Sequence, residues 1–505
     1  MNYGPSYNRQ SAPEPGKTIY FLGASTLGPI NEPVRVTSKE DAIAKFGPVG
    51  LSPLTKAYTQ FSECGGIVAY LVRIIGDYAR VSIYGNSGVV MELWATDGGS
   101  IGNSIFVAID SSKIQINSPS GINTFTFSDY DTVNLLCKGI NEAIPNVIKE
   151  TPIVQDFNTA NIAANNISFL SLSGGKDKNT ATKNELYNAL LGTLDLLSSQ
   201  YMDLIVLAEM YVDDVVPDAY MTTAIYGSMY YTSGRDYLNI TDSNGHKCGF
   251  HKAIIEFCKT QLSFGIFTHC IMGMNPLPNP LPDNYIATVA VAQASAIGTG
   301  DGFRVWLYGN WYDNGHYISI CYGDHIYLQG TPDAFTDCWY ISYAVIWLNT
   351  KFNESTTGVS IINTVHVQEF DDNVIKDLTT MGIVTYKYSP LKKWCVSAGV
   401  TQAFAANPLY YSANIKIVQR TLSMLQQDIN TYLDSPGEPI MTNKSVDTII
   451  TKSMGNRIDE GTITNYDYNI SYDDNTNIMT INLDLYTPFT VEKIVTGTNV
   501  SLKMG

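Results

Sequence analysis

Four short apolar runs limit the fold most strongly. They are TIYFLGAST from Thr18, IVAYLVRI from Ile67, LIVLAEM from Leu204 and YISICYG from Tyr317. Each is strand-length, rich in β-branched and aromatic residues, and bounded by turn formers. Helix signals lie between the first two. Ser38-Lys39-Glu40-Asp41 offers a capping serine, then acids in the first turn, where the helix dipole favours them. Ser52-Pro53 is a second start, with proline at the first helical position and Leu54, Ala57, Tyr58 and Phe61 on one face. Gly65-Gly66 stops that helix. Residues 18–75 therefore read β-α-α-β, an α/β unit.

Residues 77–167 change character. VSIYGNSGVVMELWA, NSIFVAID, SSKIQI and TFTFSD alternate like strands, and one helix is predicted near Thr132 to Ala143, before Pro145. This stretch predicts a small β-rich domain. Residues 168–354 return to α/β. Leu186, Leu190, Leu194 and Leu197 mark one helix. Gly249 to Leu262, Tyr285 to Ile297 and a segment after Asp337 mark others, and VWLYGNW reads as a strand. In 355–505 the clearest element is a long helix with Ile415, Val418, Leu422, Leu425, Ile429 and Tyr432 on its apolar seam. Lys416, Gln419, Gln426 and Asp428 are placed on its polar face. A shorter helix is predicted from Asn443 or Ser445, followed by strands in YDYNISY, IMTINLDLY, FTVEKIV and VSLKMG. The fold class is thus mixed α/β and α+β, in several domains, as the 505-residue length requires.

Composition narrows the function. The formal charge of -16, with no dense Lys/Arg cluster, argues against nucleic-acid binding. Eight scattered cysteines form no Cys-x-x-Cys pair and read as buried thiols. The first residues, MNYGPSYNRQSAPEPGK, lack the apolar segment of a signal peptide. The apolar run from Cys338 to Leu348 is about half of the ~20 residues a membrane span needs. Neither classical secretion nor membrane insertion is expected. The prolines and glycines of residues 1–17 exclude a helix or central strand there and leave an extended arm or a frayed end.

Candidate chemistry is thin. Asp213-Asp214, Asp371-Asp372 and Asp473-Asp474 are sequence pairs, and adjacent residues on a strand face opposite ways. His316 and His325 with Asp313 and Asp324 form the most metal-like group, although turn residues in an aromatic hairpin are the favoured reading. Gly174-Gly175-Lys176-Asp177 lacks the leading glycine and the Ser/Thr of a phosphate loop. Gly298-Thr299-Gly300-Asp301-Gly302 follows a helix rather than a strand. No catalytic residue, metal or cofactor is expected. The 33 tyrosines suit either core or interface.

Both chain ends resemble the contractile phage tail sheath family. GPINEPVRVTSKEDAIAKFGPVG and LTKAYTQFSECGGIVAYLVRI are similar to its opening, at Pro33-Val34, Phe46-Gly47, Gly65-Gly66 and Arg73. LWATDGGSIGNSIFVAI is similar to its glycine-rich turn with Gly102-Asn103. NIKIVQRTLSMLQQDINTYL and the strands after it resemble its closing block, with Arg420 as the central arginine. WCVSAGVTQAFA keeps a tryptophan of the pattern, Trp394, and lacks its arginine.

The resemblance implies an inner domain built from 18–76 and 355–505, with a β-rich domain (77–167) and an outer α/β domain (168–354) inserted between them. It also implies subunit linkage by β-augmentation. The N-terminal arm 1–17 (Tyr3, Tyr7, Arg9) and a C-terminal strand (Phe489, Val491, Ile494, Val495) would be the linkers. Lys444, Lys452 and Arg457 would face the tail tube. The implied protein is a non-enzymatic virion subunit, assembled in the host cytoplasm into a helical homopolymer of stacked rings. Its partners would be tube, baseplate and tail-terminator proteins. Contraction would be a shift between two packings. Tailocin or injection-system sheaths are close alternatives. A carbohydrate-active or adhesin tail protein, suggested by the aromatic hairpins and by Asp313 and Asp324, is the alternative of another class.

Overall fold

The structure is a computed structural model. It describes residues 17–503 except 86–87, 154–157, 164–166, 213–239, 242–246, 276–303, 308–309, 353, 363–364, 368, 390–392, 404–406, 434–441, 474–477 and 487–493. The helix expected at Tyr285 to Ile297 and the glycines around Gly300 lie outside the described residues. The chain divides into two units, one of 1–21, 60–70 and 183–505 and the other of 22–59 and 71–182. Strands Ile19–Gly23 and Ala69–Arg73 begin in the first unit and end in the second.

One seven-stranded sheet runs in the order Pro33–Val36, Ala69–Arg73, Ile19–Gly23, Leu204–Leu207, His269–Gly273, Ile318–Cys321, Ile383–Val384. The last four strands are parallel. IYFLG, LIVL, HCIMG and ISIC are buried at every residue, the signature of strands covered on both faces. The apolar runs therefore lie in one sheet. This sheet differs from the expected layout, because strands from 18–76, 168–354 and 355–505 share it. Periodicity identifies strands, whereas their order in a sheet is set by contacts far apart in sequence.

Backbone and side chain together lock the first strand. Thr18 N donates to Asp203 Oδ2 (2.9 Å), while the N–H groups of Asp203 and Leu204 donate to Thr18 O. The long helix, Ser412–Leu433, buries most of its seam, with Ile415, Val418, Leu422, Leu425 and Ile429 at most 2% exposed, while Tyr432 at its end is only half-buried. Its polar face is corrected. Lys416 and Gln419 are buried as well, because each reaches backbone carbonyls of other elements. Lys416 Nζ donates to Thr350 O and Lys351 O, just past the helix Tyr340–Asn349, and so satisfies carbonyls at a helix end. Gln419 Nε2 donates to Asp203 O (2.7 Å) and Phe267 O (3.1 Å).

The acidic pair Asp371-Asp372 is a helix start. The Asp371 carboxylate accepts from Asn373 N (2.9 Å) and Val374 N (3.0 Å), opening helix Asp372–Thr380.

The smaller unit contains the predicted helices Lys39–Phe46 and Pro53–Glu63 up to its boundary at Thr59, the first capped by Ser38 Oγ from Asp41 N (3.1 Å). It also holds the β-rich segment. Strands Tyr78–Gly85, Gly88–Gly98 and Ile148–Glu150 form one antiparallel sheet. Phe106–Ile109, Lys113–Ser118, Gly121–Thr126 and Ile167–Ser171 form another. Helix Val133–Ala143, capped by Thr132, completes their common core around Ile83, Leu93, Val107, Ile116, Leu136 and Ile140.

The resemblance motif Gly102-Asn103 gains a physical reason in this unit. A Cβ on Gly102 would lie 2.8 Å from both Ala79 Cβ and Ala95 Cβ. Asn103 then imitates a peptide group, with Nδ2 donating to Gly175 O and Oδ1 accepting from Gly175 N, both at 3.0 Å. Gly174-Gly175-Lys176-Asp177 is thus a docked turn. Asp177 accepts from Ser100 N (2.7 Å) and Ser100 Oγ (2.9 Å).

Candidate interaction surface

The sequence places its candidate contacts at the chain ends, and the C-terminal part of the larger unit can be built up directly. Helix Asn443–Asp459 starts with a reciprocal cap. Thr442 Oγ1 accepts from Ser445 N (3.1 Å), and Ser445 Oγ accepts from Thr442 N (2.8 Å). Val446, Ile450 and Met454 form its buried stripe, each without exposed surface. Lys444, Thr448, Lys452 and Asn456, spaced by four, form an exposed strip. The two lysines therefore share an open face.

Arg457 does not join them. It lies three turns on from Val446, so the helical period puts it on the buried stripe. It is 4% exposed, its Nη1 meets Glu460 Oε2 at 3.2 Å, and the same nitrogen contacts Met424 Sδ of the long helix. The expectation that all three cations face outward is corrected at this residue. The spacing alone could have shown it.

The remaining flank of the helix is tied to the sheet that follows. Tyr468 OH donates to Asp447 Oδ1 and lies 3.3 Å from Thr451 Oγ1. That sheet is antiparallel, in the order Asn465–Asp473, Ile478–Tyr486, Ile494–Lys503. Ile481, Leu483 and Leu485 of the middle strand are fully buried, while Asn482 and Asp484 take the other face. Of the two closing strands read from the sequence, residues 489–493 lie outside the described residues, and the described remainder forms one strand, Ile494–Lys503. A register shift opposite Leu483 and Leu485 absorbs the Thr496-Gly497 stretch that reads as a break. Ile494 and Val495 begin this strand, and Ile494 pairs with Leu485 of the same chain. Asn465–Asp473 hydrogen-bonds along one side to the middle strand, and among the described residues no strand pairs with its other side. Tyr3, Tyr7, Arg9, Phe489 and Val491 lie outside the described residues.

Arg420, the central arginine of the long helix, lies over the Phe352 ring at 4.3 Å. The metal-like group is not assembled. His316 packs on Phe267 and Tyr317, whereas His325 packs on His366, Tyr386 and Trp339. Asp324 is 1% exposed. Among the described residues no three His, Cys, Asp or Glu side chains gather as metal ligands, and no helix is long and apolar enough to cross a membrane.

The fold is that of a solved sheath tail protein. The chain is similar, over 95% of its length and 94% of the other's, to the crystal structure of a sheath tail protein from Listeria innocua, with a TM-score of 0.52 at 14% identity. A sheath tail protein from Desulfitobacterium hafniense covers 99% of this chain and 100% of its own, with a TM-score of 0.47 at 13% identity. The helical sheath of the anti-feeding prophage in its contracted state covers 97% and 96%, with a TM-score of 0.46 at 9% identity. No family model and no curated protein sequence matches the chain.

Proposed function

We propose that this protein is the sheath subunit of a contractile tail. It polymerises around a tail tube and shortens, and it carries out no catalysis. The observation that carries this reading is the fold likeness to a sheath tail protein along nearly the whole of both chains. The ordered chain-end motifs that resemble the sheath family support it.

Linkage between subunits follows from strand chemistry. The Asn465–Asp473 edge presents backbone donors and acceptors to an incoming strand. The N-terminal arm of a neighbouring subunit is the proposed occupant. The C-terminal strand from Phe489 would serve as the second linker, exchanging its pairing within the chain for the same pairing in a neighbour. Deleting residues 1–17 is expected to leave a folded subunit that no longer polymerises. Far-UV circular dichroism would check the fold and negative-stain microscopy the polymer. Normal tubes from the truncated chain would remove the linking role.

Lys444 and Lys452 are the proposed contacts to an acidic tube surface. The double change Lys444→Glu/Lys452→Glu is expected to leave stability within about 0.5 kcal/mol, since both are surface residues. It is expected to abolish assembly on tubes at low salt, where exposed charges act most strongly. Unchanged decoration of tubes by the variant would place the contact elsewhere. Tube, baseplate and terminator proteins are the proposed partners. The proposed location is the tail of a virion or a related particle assembled in the host cytoplasm.

A further inference from the structure

Two histidines meet in the larger unit. His325 and His366 are register partners on the antiparallel strands Asp324–Tyr327 and Val365–His366, so both rings rise from one face of that small sheet. Their centroids are 4.3 Å apart at 78°. Aromatic rings enclose them: Tyr386 is 5.2 Å from His325 and 4.3 Å from His366, Trp339 is 5.8 Å from His325, and Trp394 is 4.2 Å from His366. His325 has no exposed surface, and neither of its ring nitrogens has a hydrogen-bond partner. Nδ1 of His366 is buried without one as well.

The nearby carboxylates are otherwise engaged or placed. Asp337, the register partner of His325 on its other side, accepts from Gln60 Nε2 (2.9 Å), Tyr211 OH (2.8 Å) and Cys338 N (2.8 Å). Asp324 precedes His325 on its strand, so its side chain starts from the opposite face. The other titratable groups on the surrounding elements are Tyr322, Tyr327, Tyr340, Tyr343, Tyr386, Tyr388, Cys338, Cys395 and Lys393, with Lys387 and Glu369 on the flanking segments. Burial holds the Tyr327 phenol and the Cys338 thiol well above their usual range, so both stay neutral. Among the described residues no anion hydrogen-bonds to either imidazole to stabilise an imidazolium.

We propose that the His325–His366 pair is an acid-sensitive latch: proton uptake by the pair releases the strand Val365–His366 and opens the aromatic box. This strand is the element placed to give way. Among the described residues it is two residues long and pairs on one side only, and it leaves Val365 38% exposed. Closed, the box keeps both rings neutral. Burial lowers His366 to about 4, and burial with the neighbouring ring holds His325 well below its usual range. Released, the rings return towards an ordinary histidine value near ~6.5. The open state therefore binds more protons. The latch is fully stable above about pH 6.5 and weakens as pH falls from there to about 4. Each ring contributes up to about tenfold in the opening equilibrium per pH unit across that window.

Amide exchange on the full chain tests this, with rates corrected for intrinsic pH dependence. Opening of peptides covering Val365 and His366 is expected to rise at least about tenfold between pH 6.5 and 5, while Leu204–Leu207 stays protected. His366→Phe removes one proton site and should flatten the rise. His366→Gln serves the same purpose if the phenylalanine variant fails to fold. A wild-type pH response at 365–366 no larger than at Leu204–Leu207 would overturn the proposal. So would an unchanged response in a folded His366 variant.

Discussion

Arg73→Ala is expected to lower the stability of the smaller unit by about 3–5 kcal/mol, the cost of emptying a buried charged site. Arg73 ends its strand with no exposed surface and uses its donors on four backbone carbonyls. Nε reaches Ile75 O at 2.8 Å, Nη1 reaches Gly28 O at 3.2 Å and Gly98 O, and Nη2 reaches Asp177 O at 3.0 Å. The carbonyls come from separate loops, so one side chain fixes all of them. Asp97, whose carboxyl is pushed up by burial, accepts from Gly28 N (3.2 Å) and is helped by the same guanidinium. Without it, several buried acceptors lose their partners at about 1–3 kcal/mol each, partly relieved by water entering the gap. Neighbouring glycines make room for it: a Cβ on Gly76 or Gly99 would meet its guanidinium at 2.5 and 3.1 Å. Arg73→Met separates volume from hydrogen bonding. It should fail nearly as badly in urea unfolding followed by circular dichroism. A methionine variant as stable as wild type would show that filling the space was sufficient.

Trp339→Ala is expected to cost the larger unit about 3–5 kcal/mol, as large-to-small changes of buried aromatics do. Trp339 is fully buried, its Nε1 donates to Tyr322 O (3.1 Å), and its ring packs against Tyr343 and Tyr386, each at 5.6 Å. It opens helix Tyr340–Asn349, whose first eight residues are all buried. Trp339→Phe keeps part of the packing and removes one of two donors to the Tyr322 carbonyl, which still accepts from Thr385 Oγ1 (2.9 Å), so a smaller loss of about 0.5–1.5 kcal/mol is expected for that bond. Urea midpoints of the two variants check the order. Equal losses would mean that the hydrogen bond, not the ring volume, governs the site.

The comparison of sequence with structure is instructive residue by residue. Ser38, Thr132 and Pro53 announced their helices because caps act through residues three or four apart, a range that sequence displays directly. The buried strands were equally visible, since their burial on both faces removes every polar residue but a few. Helix Asp372–Thr380 was missed because it buries only Val374 and Leu378, and its capping aspartate reads as half of an acidic pair. Lys416 and Gln419 were assigned to solvent because the carbonyls they serve lie 66 and 216 residues away. The single sheet joining three stretches of chain was hidden for the same reason: long-range pairing leaves no local mark. Of the candidate surface, the exposed strip of Lys444 and Lys452 was legible from helical spacing, and that same spacing placed Arg457 inside.

The contact between chain ends and neighbours is where the functional account is most exposed to test. The edge of Asn465–Asp473 offers pairing, and the proposed arm has the length and composition of an extended segment.

The most direct measurement is negative-stain electron microscopy of the full chain mixed with its cognate tube protein. The account predicts hollow, ridged sleeves around the tubes, in a long and narrow or a short and wide form. Uniform small particles beside bare tubes, from a chain shown to be folded, would contradict it.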